Sequence, residues 1–137
     1  MTIYQSTEEI YEVLVPFYEH LTTDPAVGPK FVKANTSFRI RHHDPAAVFL
    51  LDATQDPAVL RFGAEAETQE PEVELSMSGD DGHKFWLGKL NLPVALARKK
   101  IKVDGGVTKL LGLVPALQPA YAQYRAHLES LGRPVDA

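Results

Sequence analysis

The feature that most constrains this chain is a strand that turns directly into a helix near residue 78. Val73, Leu75 and Met77 alternate with Glu74, Ser76 and Ser78, the period of two expected of a strand with one buried face. Ser78 and Asp81 then supply the S-x-x-D spacing that opens a helix, because the serine oxygen can accept an orphan backbone N–H. Phe85, Trp86 and Leu87 are the apolar part of that short helix, and Gly88 is a natural stop. A second helix is predicted from Asn91, with Pro93 just inside it, where a missing N–H does no harm. Lys100-Ile101-Lys102-Val103 reads as a strand closed by Asp104-Gly105-Gly106. Residues 73–106 are therefore predicted as strand, short helix, short helix, strand.

The flanking segments fit around this unit. Ser6 and Glu9 form another capping box, followed by Ile10, Val13, Leu14, Phe17 and Leu21 at helical spacing. Pro16 is expected to kink or split that helix. Asp24-Pro25 is predicted to open a second helix that ends near Asn35. Phe38 and Ile40 alternate with Ser37, Arg39 and Arg41, and a turn is expected near His43-Asp44-Pro45. The run from Ala47 to Ala53 is almost entirely apolar, as in a strand buried on both faces. Leu60 and Phe62 oppose Val59 and Arg61 in a further strand, and an acidic loop spans Glu65 to Pro71. The connections are short, which predicts antiparallel neighbours. From Val107 to Leu131 apolar residues recur three or four apart, with Pro115 and Pro119 breaking the helix near 113–119.

The fold class that follows is α+β. A five-stranded, mainly antiparallel sheet uses residues 36–43, 46–54, 57–64, 72–78 and 100–104. It is covered on one face by helices from 7–34, 79–99 and 107–131, all in a single domain over 1–137. The last strand is expected beside an early one.

Composition narrows function by exclusion. A net charge of −4 argues against general nucleic-acid binding. With no cysteine there is no disulfide, no thiolate nucleophile and no Cys-based zinc site. The opening MTIYQSTEE shows neither a basic region nor a long apolar run, so no signal peptide is expected. No apolar run approaches the roughly 20 residues that cross a bilayer. A cytoplasmic location is the expectation.

Polar motifs give no reaction chemistry. His42 and His43 are adjacent, so on a strand they point to opposite faces and do not share a metal. No H-E-x-x-H or G-x-S-x-G pattern occurs, and no metal or cofactor is expected. Asp80-Asp81 at a helix start reads first as charge–dipole capping. Gly105-Gly106 reads as a tight turn, since the phosphate-loop lysine is missing. Arg98-Lys99-Lys100 with Lys102 forms a basic cluster, readable either as a contact for anionic lipid head groups or as cations at a helix C-terminus.

The order Met77-Ser78, Asp80-Asp81, Phe85-Trp86, Gly88-Lys89-Leu90, Ile101-Lys102-Val103, Asp104-Gly105 resembles the C-terminal half of the sterol carrier protein 2 family of lipid-transfer domains. In element order the match covers roughly Phe38 to Leu117. The chain departs from the family pattern at Arg98-Lys99-Lys100, where the family often has a glycine before the strand.

The resemblance implies an apolar tunnel between sheet and helices that holds an acyl chain or sterol. Its walls would come from Phe49, Leu51, Leu60, Phe62, Leu75 and Met77 on the strands. Phe85, Trp86, Leu90 and Leu96 would add to them from the short helices, and Leu110, Leu111, Val114 and Leu117 from the C-terminal ones. The same stripe also reads as a solid core. Lys89 and Arg98 are candidate head-group contacts at the mouth, and the helices from Val107 onward are the candidate lid. The expected function is non-catalytic binding or transfer of a lipid-like ligand: fatty acid, acyl-CoA, sterol or isoprenoid. Transient membrane contact is part of that expectation. The alternative is an accessory subunit that uses the groove, with Tyr121, Tyr124 and Leu128, to bind a protein partner or a second copy. No nucleophile, base or cofactor loop supports an enzyme.

Overall fold

A computed structural model describes residues 3–135 of the chain. Helix α1 spans Thr7–Thr23 and is opened by Ser6, whose Oγ accepts the Glu9 N–H at 3.1 Å. It buries Ile10, Val13, Leu14, Phe17 and Leu21, and runs through Pro16 without a break. Pro16 is exposed, and so is Glu12, whose carbonyl the proline leaves unpaired. Water can satisfy that group, so the proline does not split the helix. Helix α2 spans Gly28–Ala34, later than predicted. The Asp24 carboxylate does act as a cap, but it accepts the N–H groups of Ala26 and Val27 at 2.8 and 2.9 Å and closes a turn ahead of the helix.

Five strands follow: β1 Ser37–His43, β2 Ala47–Asp52, β3 Val59–Phe62, β4 Val73–Ser78 and β5 Lys102–Gly105. Between β4 and β5 lie helices α3 Gly79–Trp86 and α4 Leu92–Ala97. After β5 come α5 Val107–Leu113, a 3-10 turn Val114–Leu117 and α6 Gln118–Ser130, so the helix breaks where the prolines predict. Ser78 caps α3 by accepting the Asp81 N–H at 3.0 Å, and Asn91 caps α4 by accepting that of Val94 at 3.1 Å. Lys99 takes the left-handed conformation (φ 61°) in the turn before β5, where a glycine would be unstrained.

The strand order is β3-β2-β1-β4-β5. The sheet is mainly antiparallel, with one parallel pair, β1 with β4. Two expectations are corrected here. β4 does not neighbour β3, and β5 pairs antiparallel with β4 at the edge rather than with an early strand. The ten-residue connection from 63 to 72 is too long for a hairpin. It forms a 3-10 turn at Gly63–Glu67 and passes over the face opposite the helices. Ala66 of that turn packs with Val48 and Leu50, which explains why β2 is buried on both faces.

Charged partners line the outer face of the parallel pair. Arg39 of β1 stands beside Glu74 of β4, and its Nε donates to that carboxylate. Its guanidinium also donates to the Gln69 carbonyl at 3.2 Å, while Arg41 forms a two-bond fork with Glu67. At the far edge Gly105 (φ 97°) lies so close to β4 that a Cβ there would sit 2.0 Å from the Glu72 carbonyl oxygen. No side chain other than glycine fits.

Candidate functional site

The inner face of the sheet is built by alternation. In the observed register Leu75, Ile40 and Phe49 form one row across β4, β1 and β2, and Phe38, Leu51 and Leu60 form a second across β1, β2 and β3. Alternate strand residues therefore present mostly apolar groups to the helices, with His42 of β1 the polar exception. The helices return Phe85 and Trp86 from α3, Leu92 from α4, and Leu110 and Leu113 from α5. Together with Tyr18, Phe31, His42, Met77, Gly82, Ile101 and Leu117, these residues line an apolar cavity of about 60 Å³.

Trp86 anchors one wall. Its ring meets Phe17, Tyr18 and Phe85 edge-on, with centroids 5.0–5.7 Å apart. Its indole N–H donates to the Tyr18 hydroxyl at 3.1 Å, and burial raises the Tyr18 pKa, so this hydroxyl stays neutral. His42 is the other ionisable group on the wall, and burial pulls its pKa down to about 4. The cavity is thus uncharged at neutral pH.

The structure brings Phe49, Leu51, Leu60, Leu75, Met77, Phe85, Trp86, Leu110 and Leu117 together on the wall. It places the other predicted residues elsewhere. Phe62 is at the sheet edge, 46% exposed, against the ring of Tyr11 at 5.5 Å. Leu111 is 39% exposed, because α5 turns Leu110 and Leu113 inward instead. Leu90, Leu96 and Val114 are half-buried against the core outside the cavity. Lys89 and Arg98 are exposed and off the wall. Tyr124 and Leu128 are buried in the core (0% and 1% exposed), so the C-terminal aromatic stripe is not a free surface. A shallow cleft lined by Lys30, Lys33 and Lys109 meets the cavity wall at Leu113, which lines both.

Several wall residues had a readable signal. Phe38 and Ile40 alternate on a predicted strand, and His42 follows with the same parity. Ile101 alternates with Lys100 and Lys102 in a predicted strand, whereas Tyr18 had no signal, because only the docking of α1 turns it toward the sheet. Among the described residues no cluster of His, Asp or Glu could hold a metal, and no helix is long and apolar enough to cross a membrane.

No family model matches the sequence, and no curated protein matches it. Solved structures do match. The chain is similar to apo sterol carrier protein 2 from Yarrowia lipolytica (21% identity, 77% of this chain and 89% of that one, TM-score 0.58). It is similar to the sterol carrier protein domain 2 of Helicoverpa armigera (18% identity, 82% and 88%, TM-score 0.64). It is also similar to a palmitated sterol carrier protein 2 like 2 from Aedes aegypti (15% identity, 79% and 93%, TM-score 0.56). The chain has the sterol carrier protein 2 fold.

Proposed function

We propose that this protein binds and carries a lipid-like molecule, without catalysis, in the cavity between the inner face of the sheet and helices α3 to α5. The observation that carries this reading is the wall itself, an uncharged and almost wholly apolar surface contributed by every layer of the fold. Each methylene moved there from water contributes about 0.8 kcal/mol, so a long chain needs no ionic contact to be held. The fold neighbours support it: they are sterol carrier proteins, and one of them is palmitated.

At about 60 Å³ the cavity is smaller than the roughly 300–1,000 Å³ of pockets that enclose a whole ligand. Uptake therefore requires a wall to move. The segment from α5 through the 3-10 turn is the candidate, since it buries only Leu110, Leu113 and Leu117 and is interrupted at Pro115. Lys30 and Lys33, beside Lys109 and its Glu72 partner, are the head-group contacts this reading favours, at the cleft that meets the wall. The exposed Arg98-Lys99-Lys100 cluster would meet an anionic membrane surface during delivery.

Native mass spectrometry of the purified protein, followed by organic extraction, tests this reading. A discrete added mass that extracts as a lipid is expected. A protein that stays unliganded after incubation with long-chain lipids would count decisively against it.

A further inference from the structure

We propose that helix α3 is an acid-operated gate on the cavity: charging His42 and His83 together frees α3 from the sheet and from α6, and opens the wall that carries Phe85 and Trp86. The gate stands on the packing of α3. Only its use, to let cargo out in acid, rests on the carrier reading above.

Two imidazoles pin α3 at consecutive positions, one from the sheet and one toward α6. His42 of β1 is 4% exposed and lies against Gly82, where a Cβ would come 2.6 Å from its Cε1. Its Nδ1–H donates at 3.4 Å to the carbonyl of Ser78, the residue that caps the helix. The next helical residue, His83, is 1% exposed and meets α6 through Nδ1, 2.7 Å from the Tyr124 hydroxyl oxygen. In both rings Nδ1 is engaged, while Nε2 is buried and has no hydrogen-bond partner. A protonated imidazole carries an N–H on both nitrogens. Acid therefore sets a charge and an unmatched donor at each of the two contacts, and burying such a group is costly.

Little nearby offsets that charge. Around His42 stand the Phe49 ring, edge-on at 5.9 Å, the Ser78 and Met77 backbone, and His43 of the same strand. Only the backbone groups favour the charged ring, and burial outweighs them. Around His83, Tyr4 and Tyr124 are neutral, and Lys84, Lys89 and Arg133 are cations. Asp80 alone has the opposite sign, and its carboxylate accepts the Ile3 N–H at 2.8 Å.

The helix is a separable piece, eight residues between its Ser78 cap and Gly88, whose φ of 76° follows its end. Burial holds both rings near pKa 4, and water restores the ordinary 6.5 once α3 lifts away. The open form then binds protons that the closed form refuses, so the closed form is favoured above pH 6.5 and loses ground as pH falls toward 4. From pH 7 to 5 this multiplies the opening constant by about 20 for each ring and by about 500 for the pair.

Amide hydrogen exchange of the unliganded protein, followed by NMR at pH 7 and pH 5 and corrected for the intrinsic rate, reads this constant. The α3 amides are expected to open more readily than those of β1 and β2 at both pH values. Their opening constant should rise about 500-fold in the wild-type protein and about 20-fold in His42→Phe or His83→Phe. A constant that does not change with pH overturns the proposal. Equal protection of α3 and the central strands also overturns it, since the helix then opens only when the whole protein unfolds. A wild-type rise near 20-fold assigns the effect to one histidine and overturns the pairing. Should the variants misfold, the wild-type ring signals decide: His42 or His83 titrating near 6.5 in the folded protein overturns the gate. No ligand enters these measurements, so their failure leaves the carrier reading standing.

Discussion

The hydroxyl oxygens of Tyr4 and Tyr124 lie 2.6 Å apart across 120 residues of sequence. Tyr124 also bonds His83 Nδ1 at 2.7 Å, so a buried chain of three polar side chains ties the N-terminal segment, α3 and α6 together. Burial raises the pKa of both tyrosines, Tyr4 to about 12, so both hydroxyls remain protonated donors. Removing the central member leaves two buried groups unpaired. Tyr124→Phe is expected to lower stability by about 1–3 kcal/mol in urea unfolding while ligand uptake persists. An unchanged unfolding midpoint would show that the chain of hydroxyls contributes nothing net.

Acid should destabilise this fold early, through its buried histidines. His42 and His83 have folded pKa values of about 4 against an ordinary 6.5, chiefly because burial disfavours the charged ring. Backbone hydrogen bonds to Ser78 and Met77 oppose the shift at His42; around His83, Asp80 opposes it and Arg133, Lys89 and Lys84 reinforce it. A depressed folded pKa on a base means that the unfolded chain binds more protons between 4 and 6.5. Stability is therefore fully present above pH 6.5 and falls as pH drops toward 4, by on the order of 3 kcal/mol for His42. The urea midpoint measured from pH 7 to 4 should fall over this window, and His42→Phe should flatten the fall. A parallel slope in that variant would place the effect elsewhere.

Neighbouring leucines on α5 should behave oppositely. Leu113 lines the cavity and is 7% exposed, whereas Leu111 is 39% exposed. Leu113→Asp is expected to abolish energy transfer from Trp86 to cis-parinaric acid. Leu111→Asp should leave binding within about two-fold, since single exposed substitutions usually act within about 0.5 kcal/mol. Equal losses in both would mean that α5 is rotated from the face described.

The outer face of the sheet should matter for stability and not for binding. Arg39 is 9% exposed, donates to Glu74 and the Gln69 carbonyl, and has no place on the cavity wall. Arg39→Ala leaves Glu74 half-buried without this partner. A cost of about 2 kcal/mol is expected, between the values for exposed and buried pairs. Retained probe binding in the folded variant would separate the two faces, and lost binding would couple them.

Much of the fold was legible because its signals are local. The Ser6, Ser78 and Asn91 caps, the alternation at Val73–Ser78, the doubly buried run at Ala47 and the proline break after Val107 each depend on a few neighbouring residues. Pro16 misled because its effect depends on whether water reaches the Glu12 carbonyl. Asp24 misled because a cap can close a turn as well as open a helix.

By itself the sequence determined which segments are strands and helices, and that their apolar faces must meet. Tertiary structure alone decided which strand lies beside which. β4 lies against β1, with residues 63–72 carrying the chain between and Arg39 beside Glu74, and neither feature can be read from a periodic pattern. It also decided which apolar residues form the wall. Helix α5 carries Val107, Leu110, Leu111 and Leu113, so its spacing fits more than one rotation. Only packing within the assembled fold turns Leu110 and Leu113 inward and sends Leu111 to solvent. His42 shows the same division most sharply. Its parity on β1 is a property of the sequence, but its unpaired nitrogen arises from where Ser78 and Gly82 come to rest. Local periodicity states that a side chain turns inward, and only the assembled fold states what it meets there.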